Sequence, residues 1–153
     1  MIKQAILCVD DEAIIVLSLK QELKGHFKDR FLYETALNAN EAMEIIDELA
    51  ADGVTVIAII SDWLMPGVKG DEFLERVHKR YPGIRSIIIT GHAEEKSLER
   101  LKAECGLRAV LRKPWRARDL IAAVESCVTD ASVTDASVTD ASVTDASVTD
   151  ADV

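Results

Sequence analysis

The chain has 153 residues, 48% of them hydrophobic, and a formal net charge of −9. This length allows one domain with a substantial core and hardly a second. The negative charge argues against nucleic acid as a direct partner, and no apolar run reaches the ~18 residues that a membrane span requires.

The start of the sequence and the cysteines indicate where the protein functions. The first residues lead into a strand-like segment without the pattern of a signal peptide. The three cysteines, Cys8, Cys105 and Cys127, lack the spacing of metal ligands and are odd in number. We therefore expect reduced thiols and a cytoplasmic protein that does not contact a membrane.

The first strand and helix are predicted from an apolar segment at residues 5–9 and a helical pattern to about Lys24. Gly25 suits the C-cap of that helix. Apolar residues spaced by four predict its buried stripe, namely Ile15, Leu19 and Leu23. Ile14 and Leu17 lie off this stripe, and we expect them to be exposed.

The second unit begins with an edge strand at residues 31–36. Asn38 lies three residues before Glu41, a spacing typical of a capping box, and the helix is predicted to continue to Ala50. Its buried face is predicted to contain Ala42, Ile45, Ile46 and Leu49.

The central strand is predicted from the apolar, β-branched run at residues 57–60, which ends at Asp62. Such a run indicates a strand buried on both faces in the middle of a parallel sheet. Ligands bind open α/β sheets at the carboxyl ends of the strands, so Asp62 lies where chemistry is expected. This segment alone equally allows an Asp that opens the turn before Pro66 and Gly67.

The rest of the folded part continues the alternation of helices and strands. We predict helices at residues 71–80, 94–105 and 118–127 and strands at 86–90 and 109–111. Five strands alternating with helices predict an α/β fold, a parallel sheet with helices on both faces.

The last 26 residues, 128–153, repeat Val-Thr-Asp-Ala-Ser and contain six acids but no Lys or Arg. On a helix, a five-residue period rotates each Val by ~140° from the last, so no apolar stripe forms. On a strand, it places successive valines on opposite faces, so no apolar face forms there either. We expect this acidic tail to be disordered. The alternative is a solenoid resembling pentapeptide-repeat proteins, although 26 residues make little more than one coil.

Polar side chains follow four of the predicted strands: Asp10 and Asp11, Asp62, Thr90 and Lys113. Each has an ordinary alternative, such as a helix cap, a loop cap or a solvated charge. These alternatives do not explain why three acids, a hydroxyl and a base share one sheet edge. Clustered carboxylates repel each other unless a cation lies among them, and oxygen ligands suit Mg²⁺. The set therefore predicts phosphoryl transfer onto a carboxylate.

Four motifs in this order resemble the receiver domain of bacterial two-component response regulators. They are Val9-Asp10-Asp11-Glu12, Ser61-Asp62-Trp63-Leu64-Met65-Pro66-Gly67, Thr90-Gly91-His92 and Arg112-Lys113-Pro114-Trp115. The resemblance covers residues 3–127 and implies a receiver domain at 1–127 with the tail at 128–153. It also implies a flavodoxin-like, doubly wound sheet of five strands in the order 2-1-3-4-5.

The resemblance implies a role for each matching residue. Asp62 would accept a phosphoryl group from a histidine kinase or a histidine phosphotransfer protein. The Mg²⁺ ligands would be Asp11, Asp62 and the backbone carbonyl of Leu64, with Asp10 acting directly or through water. Lys113 would contact the phosphoryl group, Thr90 would move towards it, and the bond before Pro114 would be cis.

The sequence departs from the family at one switch position. The family usually has Tyr or Phe three residues before the lysine, where this chain has Val110. We therefore expect any switch to work through backbone and helix shifts. Leu64 and His92 occupy positions that tune hydrolysis in the family: the leucine would shield the acyl phosphate, and the histidine would orient a water or simply be solvated.

Taken together, the sequence predicts a single-domain response regulator or phosphorelay intermediate, and not an enzyme beyond possible self-dephosphorylation. Ile14 and Leu17 would help to dock the kinase, unless they are ordinary exposed aliphatics. The downstream protein is not predicted. One alternative is an unphosphorylated pseudo-receiver that acts as an interaction module. Another is a phosphatase of the haloacid dehalogenase type, which requires an Asp where this chain has Leu64. A fragment of a larger hybrid protein is a third.

Overall fold

The computed structural model describes residues 2–65, 67–91 and 95–133. Its strands are β1 (Gln4–Val9), β2 (Leu32–Ala36), β3 (Thr55–Asp62), β4 (Leu64–Met65), β5 (Val68–Lys69), β6 (Arg85–Thr90) and β7 (Leu107–Arg112). Its α-helices are α1 (Ala13–Phe27), α2 (Ala39–Ala51), α3 (Gly70–Arg80), α4 (Glu95–Glu104) and α5 (Ala117–Val133). Among the described residues, no helix has the length and apolarity needed to cross a membrane.

The main sheet has five parallel strands in the order β2-β1-β3-β6-β7. The numbering differs from the predicted 2-1-3-4-5 because two short strands, β4 and β5, form a separate antiparallel hairpin after β3. The five sheet strands taken alone follow the predicted order, and the predicted flavodoxin-like fold class is confirmed. Each strand of that hairpin is only two residues long, which is too short to show a periodicity in the sequence.

Two apolar layers cover the sheet, one on each face. Successive side chains of a strand point to opposite faces, so Ile59 packs in one layer and Ile60 in the other, both with 0% exposure. The first layer includes Phe73 of α3, and the second includes Leu19 of α1 and Leu120 of α5. The prediction of a central strand buried on both faces is confirmed.

The predicted end of α1 is wrong. The helix continues through Gly25 to Phe27. Its C-cap is Lys28, which has a positive φ of 54° and donates its N–H to the carbonyl of Lys24. Phe27 is buried and its ring packs edge-on against Phe31 with centroids 5.4 Å apart. This packing favours continuing the helix over the stop signal of the glycine.

The buried face of α1 is shifted slightly from the predicted one. Val16 is buried together with Leu19 and Leu23, while Ile15 is only partly buried. Ile14 and Leu17 are 73% and 52% exposed, as predicted.

The start of α2 confirms the predicted cap. The N–H of Glu41 donates to the Asn38 side chain at 2.8 Å, and the Glu41 carboxylate accepts from the N–H of Leu37 at 2.7 Å.

Helix α5 crosses the predicted boundary between the domain and the tail. It ends at Val133, whereas the sequence predicted an end at Cys127. Cys127 is fully buried and Val128 packs against the same apolar layer, so the first valine of the repeats extends the helix. The later repeats, residues 134–153, lie outside the described residues, and their predicted disorder stays a prediction.

Candidate functional site

The carboxyl ends of β1, β3, β6 and β7 lie side by side at one edge of the sheet. Val9 pairs with Ser61, Asp62 with Ile89, and Thr90 with Arg112. This register places Asp10, Asp62, Thr90 and Lys113 at neighbouring strand ends. The N–H of Lys113 donates to the Thr90 carbonyl at 3.0 Å, which links the last two strands at the site.

Three carboxylates form the centre of this edge. Oxygen atoms of Asp10, Asp11 and Asp62 all lie within 4.8 Å of one another. Asp10 and Asp62 are only 1% and 8% exposed, whereas Asp11 is exposed. Two carboxylates about 4 Å apart repel by roughly 4 kcal/mol at an effective dielectric of 20, so the cluster favours a bound cation. A set of oxygen donors with one open side fits Mg²⁺, which retains several waters when bound.

Lys113 is an internal cation of this cluster. Its Nζ lies 3.0 Å from Oδ2 of Asp10 and 3.5 Å from Oδ1 of Asp62. Burial of the ammonium lowers the pKa of Lys113, but the hydrogen bond to Asp10 and the charges of Asp62 and Asp10 outweigh it, so the pKa is raised. The side chain is therefore charged at neutral pH and offsets one of the three carboxylates.

Asp10 is held by two further hydrogen bonds. The N–H of Glu12 donates to Oδ1 of Asp10 at 2.9 Å, while Oδ2 accepts from Lys113. The N–H of Asp10 donates to the carbonyl of Ala36 at 3.2 Å. Asp10 is therefore fixed in place, and the exposed Asp11 beside it faces solvent.

The loop after Asp62 folds back on the strand end. The N–H of Gly70 donates to the carbonyl of Trp63 at 2.8 Å, and Trp63 is buried. A Cβ at Gly70 would lie 2.9 Å from the Trp63 carbonyl oxygen and 3.1 Å from that of Asp62. Only a glycine lets the first turn of α3 come this close. This role of Gly70 was not predicted from the sequence, although the glycines flanking Val68 and Lys69 are a visible signal of a tight turn.

The remaining predicted residues lie around this site or outside the described residues. Val110 on β7 is partly buried against the layer that contains Leu101 of α4. The peptide bond between Lys113 and Pro114 is cis. Leu64 lies in β4, but its side chain is not among those described, and His92 lies outside the described residues.

Ile14 and Leu17 project from the first part of α1, next to the same sheet edge. Leu17 lines a groove of about 600 Å³ together with Leu37, Thr35 and Ile45.

Comparison with known proteins identifies the class. The family profile described as "Response regulator receiver domain" matches residues 6–125, and the chain therefore belongs to this family. Two solved structures have the same fold at 29% identity and a TM-score of 0.71. One is a response regulator receiver domain protein (CheY-like) from Methanospirillum hungatei JF-1, with 85% of this chain and 96% of that one covered. The other is a receiver domain protein from Clostridium thermocellum, with coverages of 84% and 97%.

Two curated relatives place similar domains in longer proteins. The hydrogenase transcriptional regulatory protein HoxA of Cupriavidus necator is 34% identical over 127 residues, which are 82% of this chain and 24% of HoxA. The sensor kinase CckA of Brucella abortus is 28% identical over 120 residues, which are 78% of this chain and 12% of CckA. The chain thus spans a quarter or less of the length of these relatives.

Proposed function

We propose that the chain is a phosphorylation-dependent signalling switch in which Asp62 accepts a phosphoryl group from a histidine kinase or a histidine phosphotransfer protein. The observation that carries this proposal is the position of Lys113, whose Nζ lies within 3.5 Å of both Asp10 and Asp62. A carboxylate nucleophile next to a fixed cation and two further acids that could hold a metal ion suits phosphoryl transfer onto that carboxylate.

In the proposed reaction, a carboxylate oxygen of Asp62 attacks the phosphorus of a phosphohistidine. The new P–O bond forms as the P–N bond breaks, and the electron pair of that bond leaves with the imidazole nitrogen. The incoming phosphoryl oxygens are anionic, and Lys113 would bind one of them as it shifts away from Asp10. The Thr90 hydroxyl would donate to another. Because there is little covalent chemistry for the protein to perform, placement of these charges accounts for most of the catalysis.

The proposed Mg²⁺ ligands are carboxylates of Asp11 and Asp62 and the backbone carbonyl of Leu64, with Asp10 binding directly or through water. The donor set fits because carboxylate oxygens of all three acids lie within 4.8 Å of one another, and Lys113 neutralises only one of the three negative charges. Bound Mg²⁺ would neutralise phosphoryl oxygens during the transfer. Asp11 is the exposed member and provides the side open to water.

The switch would reach the outer surface through α3 and α4, because an aromatic residue is absent at Val110. Arg100 of α4 forms ion pairs with Glu75 and Asp71 of α3, the latter at 3.6 Å. Asp71 follows Gly70, which contacts the strand end that bears Asp62. A shift of that loop on phosphorylation would therefore change the contact between the two helices. Leu64 and His92 are proposed to set the lifetime of the phosphoryl group.

The test is labelling with small phosphoryl donors such as acetyl phosphate and with a panel of phosphorylated kinases, in the presence of Mg²⁺. Wild type and an Asp52→Asn control should be labelled, and Asp62→Asn should not. Asp52 is an exposed acid at the end of α2, so its substitution matches the charge change. Absence of Asp62-dependent label from every donor would favour the pseudo-receiver instead.

Docking of the kinase is proposed to involve Ile14 and Leu17, which are the two most exposed large hydrophobic residues described. Changing both to Ser should slow transfer from a phosphorylated kinase but leave labelling by acetyl phosphate unchanged. Equal rates from the kinase would exclude this docking surface. We further propose a cytoplasmic protein that acts by binding a downstream protein and is not an enzyme beyond self-dephosphorylation.

A further inference from the structure

Basic residues are concentrated where β7 ends and α5 begins, although the chain is acidic overall. Residues 107–124 contain five Arg and Lys but one acid, Asp119, although the net charge of the chain is −9. Lys113 points into the carboxylate cluster. We refer to the three exposed arginines on either side of it, Arg112, Arg116 and Arg118, as the basic rim.

The basic rim surrounds the start of α5. Arg112 is the last residue of the edge strand β7, Arg116 directly precedes α5, and Arg118 lies in the first turn of α5. All three are exposed, and none forms an ion pair within the described parts of the chain. Their charges are thus available to an anionic partner.

Electrostatics of the helix add a reason for an anion at this place. The N-terminus of a helix carries a partial positive charge, so arginines there are repelled by the helix dipole. Asp119 is the acid in the first turn that opposes this repulsion. A further carboxylate beside Arg116 and Arg118 would interact favourably with both the arginines and the helix end.

The chain itself contains a segment of matching charge. Residues 134–153 include five aspartates and no Lys or Arg. We propose that this distal part of the acidic tail binds the basic rim of its own chain. The binding needs no second molecule, and the proposal does not rest on phosphorylation of Asp62. Because Arg112 directly precedes Lys113, a bound tail would lie beside the carboxylate cluster.

The length of α5 decides which aspartates can take part. From Arg118 to Val133 the helix measures about 22 Å at 1.5 Å per residue. An extended chain gains at most ~3.6 Å per residue, so Asp135 is too close to the helix end to return to the rim, and Asp140 spans the distance only when the chain is fully extended. Asp145, Asp150 and Asp152 all reach the rim. The repeats present an aspartate every five residues, so any of these three aspartates can occupy the rim.

A spin label at the end of the tail tests the proposal. The substitution Val153→Cys provides the attachment site, because Cys8, Cys105 and Cys127 are all buried. Binding predicts paramagnetic broadening of the amide signals of Arg112, Arg116 and Arg118 but not of Glu44, which lies on α2 at the opposite face. Raising the salt to 1 M, where the Debye length is ~3 Å, should remove the broadening.

Two double variants with the same change in charge provide the control. Asp145→Asn/Asp150→Asn should weaken the broadening clearly, because only Asp140 and Asp152 remain to reach the rim, whereas Asp130→Asn/Asp135→Asn should leave it unchanged. Changing the three rim arginines to Gln should abolish it. Circular dichroism of each variant would confirm that the domain is folded.

Three results would overturn the proposal. The first is no broadening in the full chain, which would leave the rim to an acidic partner other than the tail. The second is broadening that appears only between mixed spin-labelled and isotope-labelled molecules, which would indicate the tail of a second copy. The third is an equal effect of both double variants, which would show a general charge effect instead of binding by the distal repeats.

Discussion

Nζ of Lys113 lies 3.0 Å from Oδ2 of Asp10, although 103 residues separate the two in the sequence. The contact joins the ends of β1 and β7, which are separated in the sheet by β3 and β6. In this position the lysine serves two purposes: it offsets the charge of Asp10, and it lies 3.5 Å from Asp62, the proposed phosphoacceptor. Loss of the lysine charge should therefore favour metal binding but slow phosphoryl transfer.

Replacing Lys113 by Met should separate these effects. Without the ammonium, three carboxylates remain close together, so Mg²⁺ affinity should rise because the cation no longer competes with a built-in charge. Transfer from acetyl phosphate should fall about 10²-fold, the usual effect of removing one group that stabilises developing charge. A Mg²⁺ titration measures the affinity, and the labelling rate measures the transfer from acetyl phosphate. Lys102→Met on α4 is the control. A variant that changes neither quantity would contradict the proposed role.

The Mg²⁺ site is tested by Asp11→Asn, with Glu12→Gln as its neighbour control. Both residues are exposed, so neither change should affect folding. Only Asp11 belongs to the carboxylate cluster, so its substitution should lower Mg²⁺ affinity roughly tenfold or more. Fluorescence of Trp63, which is buried and directly follows Asp62, is a suitable signal for the titration. Equal affinities of the two variants would exclude Asp11 as a ligand.

Two glycines of this chain should respond to alanine in opposite directions. Gly25 lies inside α1, where an added Cβ would have no neighbouring atom within 4 Å, so Gly25→Ala should stabilise the fold by up to about 1 kcal/mol. At Gly70 the Cβ would meet backbone atoms of Trp63 and Asp62 at 2.9 to 3.1 Å. Gly70→Ala should therefore destabilise the fold by about 1–3 kcal/mol. Urea denaturation measures the free energy of unfolding of both variants. A Gly70→Ala variant as stable as wild type would show that the β4–β5 hairpin can move away from the added Cβ.

The sequence predicted which strand-end side chains lie together better than it predicted the ends of the helices. The common edge of Asp10, Asp62, Thr90 and Lys113 was predicted because the strands are parallel and their carboxyl ends lie side by side. That inference needs only the order of elements, and small errors in their bounds do not affect it. The exposure of Ile14 and Leu17 followed in the same way from helical spacing.

The errors arose where tertiary packing overrode a local signal. Gly25 is a plausible cap, but burial of Phe27 against Phe31 extends α1 past it. Val128 belongs to a polar repeat, yet its contact with the core extends α5 into the tail. The close approach of Gly70 to Trp63 depends on a hairpin whose strands have two residues each. Such contacts depend on how the elements pack together, and local signals in the sequence do not reveal them.

The link between α2 and α3 allows a test by pH. The Tyr81 hydroxyl donates to Oδ1 of Asp47 at 2.5 Å, and Arg80 lies 3.0 Å from the same oxygen. The hydrogen bond to Asp47 raises the pKa of Tyr81 above its ordinary value of 10.0, and burial and the charge of Asp47 add to this. Because the folded state favours the protonated phenol, the stabilisation is complete below pH 10.0 and is lost as the pH rises through the raised pKa.

Tyr81→Phe should therefore lower the free energy of unfolding by about 1 kcal/mol at neutral pH, the usual contribution of one hydrogen bond. The difference between wild type and variant should shrink as the pH rises from the ordinary pKa of 10.0 through the raised pKa, since the phenol ionises first in the unfolded state and then in the folded protein, which loses the bond. Urea denaturation at several pH values measures it. In an Asp47→Asn background the same substitution should have a smaller effect, because the partner charge is gone. A difference that stays constant across the titration of the phenol would show that packing of the ring, and not its hydrogen bond to Asp47, connects the two helices.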